Sequence, residues 1–146
     1  MQVFVIGTPL ETARALDKLR LNKQIIECQQ ILYALNGQKA WSNHPCTLQY
    51  QDHEEWLMLY MDCLCYYQRG QMDLAERRNA QSMEFTPSFH IKEYIDNMKR
   101  RLYTKNNSHY KQWADMGESD VNWYFVDGKW KKYKDGKCLG VFDEIS

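Results

Sequence analysis

The stretch "HEEWLMLYMDCLCYYQRG", residues 53–70, constrains this chain more than any other. Trp56, Leu57, Leu59, Tyr60, Cys63, Leu64 and Tyr67 recur at spacings of three and four, which predicts a helix with a wide apolar face. Gly70 ends it. Met58, Met61 and the tyrosines of this helix read most simply as core, with no chemistry assigned to them.

Other helices gather around it. "TPLE" predicts a helix start, with Thr8 as cap, Pro9 at the first helical position and Glu11 where a capping-box acid belongs. Apolar residues then recur through Leu10, Ala13 and Leu16, and again through Ile25, Cys28, Leu32 and Leu35, ending at Asn36-Gly37. These runs are one bent helix or two helices joined near Arg20–Asn22. "QVFVI" is a lone β-type run. "QKAWSNHPCTLQY" is irregular, with Pro45 barring helix just before it. Residues 71–86 read as a short helix or a loop. A further helix follows over "PSFHIKEYIDNMKRRLY", on the spacing of Ile91, Tyr94, Ile95, Met98 and Leu102. The tail predicts short strands turning at Asp127-Gly128 and Asp135-Gly136, a small hairpin. The expectation is a mainly α fold, a helical bundle in one domain over residues 1–146 with a turn-rich C-terminus.

Composition narrows the class. The chain of 146 residues is 44% hydrophobic and 26% charged, ordinary for a globular protein. No apolar run nears the roughly 20 residues that span a bilayer, and "MQVFVIGTPL" lacks a signal peptide's basic start, so a cytoplasmic protein is expected. Five cysteines agree with a reducing compartment. Cys46 with His44 is the one arrangement that invites zinc, but free buried thiols are the simpler reading, and no metal or cofactor is expected. The net charge of zero hides an asymmetry: residues 1–98 hold 9 Lys/Arg against 12 Asp/Glu, and residues 99–137 hold 10 against 5. The basic segment is interleaved with aromatics, in "KRRLYTKNNSHYKQW" and "NWYFVDGKWKKYKDGK". That mixture suits phosphate neutralisation and base stacking, or equally a solvated face with packed rings.

Several pieces, in order, carry a resemblance: "ALDKLRLNKQIIECQQIL" (15–32), "WSNHP" (41–45), "HEEWLMLY" (53–60), "FH" (89–90) and "RRLYTKNNSHY" (100–110). Together they resemble the pyrimidine-dimer DNA glycosylase family of the phage endonuclease V type, in its branch of small bacterial and phage proteins opening "MQxF". The resemblance spans roughly residues 1–125. It implies a compact helical enzyme that flips a nucleotide from double-stranded DNA, attacks the deoxyribose with its N-terminal α-amine and cuts through an imine. An α-amine, ordinarily titrating near about 7.7–8.0, is partly neutral at physiological pH where an ordinary lysine is not. Two departures stand out. Residue 2 is Gln, too bulky for usual removal of Met1, so the amine would be that of Met1. The family's Arg-Glu pair has no direct counterpart in "RLNKQ", where Arg20 is followed by Leu21 and Asn22.

By periodicity alone, Lys23 and Glu27 are a surface i,i+4 pair of about 0.2–0.5 kcal/mol. The resemblance turns Arg20, Lys23, Gln24 and Glu27 into an active-site face. Glu27 would be the general acid/base, Lys23 an electrophile or a second imine-forming amine if burial depressed its pKa, and Arg20, Asn22 and Gln24 contacts to phosphate or base. Trp41 could stack on a base or fill the core; Asn43 and His44 could meet phosphate, or His44 could cap the following segment. Arg100, Arg101, Lys105, His109 and Tyr110 read as backbone clamps. Trp123, Trp130 and the lysines at 129, 131, 132 and 134 either grip DNA or pack. The expected function is a monomeric DNA glycosylase, with or without AP lyase activity, acting on a damaged or modified pyrimidine. The rivals are a DNA-binding protein on the same scaffold without catalysis, and a glycosylase for hypermodified phage bases.

Overall fold

Thr8 opens the first helix as the sequence predicts. Its hydroxyl accepts from the Glu11 amide at 3.2 Å, the Glu11 carboxylate accepts from the Thr8 amide at 3.0 Å, and Pro9 takes the first helical position. Helix α1, Pro9–Ala15, stops at Leu16, and α2, Lys18–Leu35, starts afresh behind Asp17, whose carboxylate accepts from the Arg20 amide. The joint therefore lies at Leu16–Asp17 and not at Arg20–Asn22, because Asp17 is itself a cap. Asn36 and Gly37, the latter at φ +103°, end α2. In this computed structural model, residues 1–142 are described, and the chain divides into two compact units, Met1–Ser88 and the residues from Phe89 on.

In the first unit, α3 (Pro45–Gln49), α4 (Glu54–Gln68) and α5 (Met72–Ser82) complete the helices, with a 3-10 turn at Met83–Phe85. Helix α4 packs against α1, α2 and α5 and buries Trp56, Leu57, Tyr60, Cys63 and Leu64. Tyr50, Trp56 and Tyr60 stack in a column, with ring centroids 5.8 and 4.8 Å apart. Met58, expected in the core, is 48% exposed, because it lies on the side of α4 opposite the buried residues. Residues 71–86, undecided by pattern, form α5 because its few apolar groups find partners. Ala75 packs on Leu10 and Cys63, and the Asn79 side-chain Oδ1 accepts from the Leu10 amide at 2.9 Å.

"QVFVI" forms no strand. Val3, Phe4 and Val5 are buried instead, each contributing about 1.5–3 kcal/mol of apolar transfer. Their backbone must still find partners. The Gln24 side chain supplies two: Oε1 accepts from the Phe4 amide at 2.5 Å, and Nε2 donates to the Gln2 carbonyl at 2.8 Å. The Tyr60 hydroxyl donates to the Phe4 carbonyl at 2.6 Å, and Thr12 Oγ1 accepts from the Ile6 amide at 3.2 Å. An extended segment is thus held by side chains from α1, α2 and α4.

The second unit centres on α6, Lys92–Lys105, whose buried Tyr94, Asn97, Met98, Arg101 and Leu102 recur at helical spacing. The helix begins after Ile91 rather than at Pro87, since the Phe89 carbonyl first closes a turn with the Ile91 amide at 2.8 Å. A 3-10 turn at Lys111–Met116 leads to strands β1 (Asn122–Val126), β2 (Lys129–Lys134) and β3 (Lys137–Phe142), paired antiparallel in that order. Both Asp-Gly pairs have positive φ at each residue (Asp127 55°, Gly128 74°, Asp135 51°, Gly136 77°), as tight two-residue hairpin turns demand. The expected hairpin is therefore a three-stranded meander, with a register shift between Lys132 and Tyr133. Trp130 is buried against Phe89 and Tyr94, so it packs rather than grips. The fold is mainly helical with a small C-terminal sheet, as the pattern predicts.

His44 caps α3: its Nδ1 accepts from the Cys46 amide at 3.1 Å, with Pro45 at the first helical position. Burial, and after it the positive N-terminus, lowers the pKa of His44 below its ordinary value of 6.5.

Two outcomes follow for stability. Gln24→Leu strands the Phe4 amide and the Gln2 carbonyl, and should cost about 2–5 kcal/mol in chemical denaturation; a loss under 1 kcal/mol would contradict this account of the N-terminal segment. For His44, a depressed folded pKa means its stabilising contribution is complete above about pH 6.5 and is lost as pH falls through the lower folded value. Asn caps without titrating. Wild type should therefore lose more stability than His44→Asn between about pH 7.5 and about pH 5 in thermal melts; parallel curves would rule the titrating cap out.

Candidate active site

The chain's first residue is delivered to one face of α2. Gln24 and Glu27 lie three residues apart and so project toward the same side of the helix. Gln24 pins the backbone of Gln2 and Phe4, and Glu27 Oε2 accepts from the Gln2 amide at 3.2 Å. Only the Cα and carbonyl carbon of Met1 separate that amide from the Met1 α-amine. A half-buried carboxylate thus holds the backbone one residue from the chain's first amine.

The surface-pair reading of Lys23 and Glu27 fails here. Among the described residues the two make no ion pair, and Glu27 is turned to the Gln2 backbone instead. Lys23 is exposed, without the burial its nucleophilic role would need. Gln24, expected as a contact to phosphate or base, is only 1% exposed. Its amide is committed to the chain's own backbone, which corrects that expectation. Asn22 is half-buried and accepts from the Gln68 side chain, and Arg20 is half-buried on the first turn of α2.

The "WSNHP" loop meets the same terminus. The N-terminal positive charge is the second cause, after burial, of the lowered His44 pKa. It also acts on Cys46, whose thiol burial pushes up to about 12 against the N-terminal ammonium, with Glu27 raising it further. Both charges of the candidate site are therefore felt at one buried sulfur. Trp41 sets its ring edge-on to His44, with centroids 5.7 Å apart, and is itself 46% exposed. Asn43 is exposed beside it. Met1, Glu27, His44 and Trp41 thus share one neighbourhood.

Sequence reasoning missed Tyr60. Counted as inert core, it positions the site by holding the Phe4 carbonyl, and no pattern distinguishes such a buried tyrosine from a filler. Gln2 was noticed for its bulk and not for its backbone amide.

The second unit holds the expected clamps, and several are turned inward. Arg100 Nε donates to the Met116 carbonyl at 2.9 Å, Arg101 is buried, and Tyr110 is wholly buried, stacked on Trp113 at 5.5 Å. Arg101 and Tyr110 thus serve the unit's interior rather than a DNA backbone, since α6 presents them on its packed side or just beyond its end. Lys105 and His109 are exposed. Lys132 lies over the Trp123 and Phe142 rings at 5.2 and 4.5 Å, a basic–aromatic surface on the sheet.

A terminal amine beside a carboxylate and a histidine is a set of groups that can form an imine and move protons. Comparison with known families bears on this set directly. Residues 1–70 match the family model described as pyrimidine dimer DNA glycosylase, a span that contains Met1, Glu27, Trp41 and His44 and stops short of the roughly 125 residues over which resemblance was expected. No curated protein and no solved structure matches the chain. Over its first 70 residues, the chain is similar to the pyrimidine dimer DNA glycosylase family.

Proposed function

We propose that the chain excises a damaged or modified pyrimidine from double-stranded DNA, with the Met1 α-amine as nucleophile and Glu27 as its acid–base partner. The hydrogen bond from the Gln2 amide to Glu27 at 3.2 Å supports this reading, because it ties the backbone one residue from the terminus to a carboxylate. The amine attacks C1′ of an extruded nucleotide, the C1′–N bond breaks, and the base anion takes a proton from water. Glu27 removes a proton from the new ammonium and passes it to O4′ as the ring opens to a protonated imine. As a carboxylate again, it takes a C2′ proton, and those electrons expel the 3′ phosphate. Water then hydrolyses the imine and restores the amine. The route uses no cofactor.

His44, kept neutral by burial and the nearby ammonium, adds no second positive charge against the amine. Arg20 and Lys23 on α2, and Lys105, His109 and the β2 lysines on the second unit, supply positive charge for phosphates. The cleavage step is the AP lyase activity expected from the imine. The protein acts as a monomer in the cytoplasm.

Base release and strand scission on duplexes carrying a pyrimidine dimer, other pyrimidine lesions or modified pyrimidines test this together. Wild type should release base from at least one of them. Glu27→Gln should slow release by about 10²–10⁴-fold while leaving DNA affinity within a few-fold. Binding with no release from any duplex would instead make the chain a non-catalytic DNA-binding protein.

A further inference from the structure

Three non-glycine residues among those described have positive φ, and two of them, Asp127 and Asp135, sit in Asp-Gly turns that require it. The third is Trp41, at φ +66°. A bulky aromatic residue there is strained, where Gly or Asn would not be. The surrounding turn enforces the conformation. The Lys39 carbonyl accepts from both the amide (3.2 Å) and the hydroxyl (2.8 Å) of Ser42, and the Trp41 carbonyl accepts from the His44 amide at 3.1 Å. The strain brings only partial burial in return, since Trp41 stays 46% exposed and meets His44 edge-on. A tryptophan that seeks burial alone has no need of this conformation. Strain held by an over-determined turn is a mark of function.

Resting on the active-site reading above, we propose that Trp41 is the wedge of this enzyme: its ring enters the base stack and fills the space that the flipped nucleotide leaves. A flat, rigid, exposed ring can stack on the bases that flipping uncovers, which offsets part of the unstacking cost. Its position suits the task. His44 touches the Trp41 ring and feels the Met1 ammonium, so a ring inserted in the duplex enters it in the same neighbourhood as the attacking amine. An aromatic that instead clamped the flipped base would lie along a cleft wall with its ring largely covered.

Borohydride trapping on two substrates separates the possibilities: an abasic site within a duplex, and the same abasic site in single-stranded DNA, where no stack needs filling. For Trp41→Ala, adduct formation should slow by about 10-fold or more on the duplex and stay within about twofold on the single strand. Trp41→Phe should recover most of the duplex rate. Trp41→Gly should melt no lower than wild type, since it relieves the strained φ. Equal loss on both substrates, or a lowered melting temperature for Trp41→Gly, would make Trp41 structural and overturn the proposal. So would an unchanged duplex rate for Trp41→Ala, the outcome for a ring that stacks only on the flipped base. No adduct from wild type on either substrate would refute the amine reading itself, and the wedge with it.

Discussion

The carboxamide of Gln24 is the interaction on which the rest of the first unit depends. A chain that buries Val3, Phe4 and Val5 without pairing them in a sheet leaves amides and carbonyls stranded in an apolar interior. Each stranded group costs about 1–3 kcal/mol. Gln24 offers one donor and one acceptor at the spacing of the Phe4 amide and the Gln2 carbonyl, and Tyr60 meets the Phe4 carbonyl from α4. Leucine could do neither job, and an ionised glutamate could only accept. With the segment pinned, the Gln2 amide reaches Glu27 and the Met1 terminus has a fixed address.

That address explains the local electrostatics. The N-terminal ammonium and the Glu27 carboxylate act in opposite directions on the buried Cys46 thiol, the ammonium lowering its pKa and the carboxylate raising it. His44 is the group that a second positive charge would harm, and its capping role needs a bare Nδ1. Burial and the ammonium push it the same way, toward the neutral form. Structure and chemistry therefore ask the same protonation state of one ring. The strained Trp41 meets that ring edge-on, in a turn whose Lys39 and Trp41 carbonyls both accept backbone hydrogen bonds.

Helix positions were legible where the code is local. The Thr8-Pro9-Glu11 box, the Asn36-Gly37 stop, the face of α4 and both Asp-Gly turns could all be read from neighbours in the chain. The joint after α1 was misplaced because Asp17 is an unremarkable residue until its carboxylate is seen on the Arg20 amide. The third strand and the register shift beyond Lys132 depend on pairing, which spacing does not reveal. At the site, Met1, Glu27, Trp41 and His44 were selected by resemblance, and the first unit brings them together. Gln24, Arg101 and Tyr110 were misread for one reason: polar and aromatic side chains look alike in sequence whether they face DNA or satisfy the protein's interior. Tyr60 was overlooked for the converse reason, a buried ring whose hydroxyl holds backbone.

The central claim is that the chain's own terminus forms the covalent bond, and the attachment point of a borohydride-trapped enzyme–DNA adduct tests it most directly. After nuclease and trypsin digestion, mass spectrometry should place the reduced sugar remnant on the N-terminal peptide Met1–Arg14, at the α-nitrogen of Met1. A remnant on Lys23 or any other side chain would contradict the account.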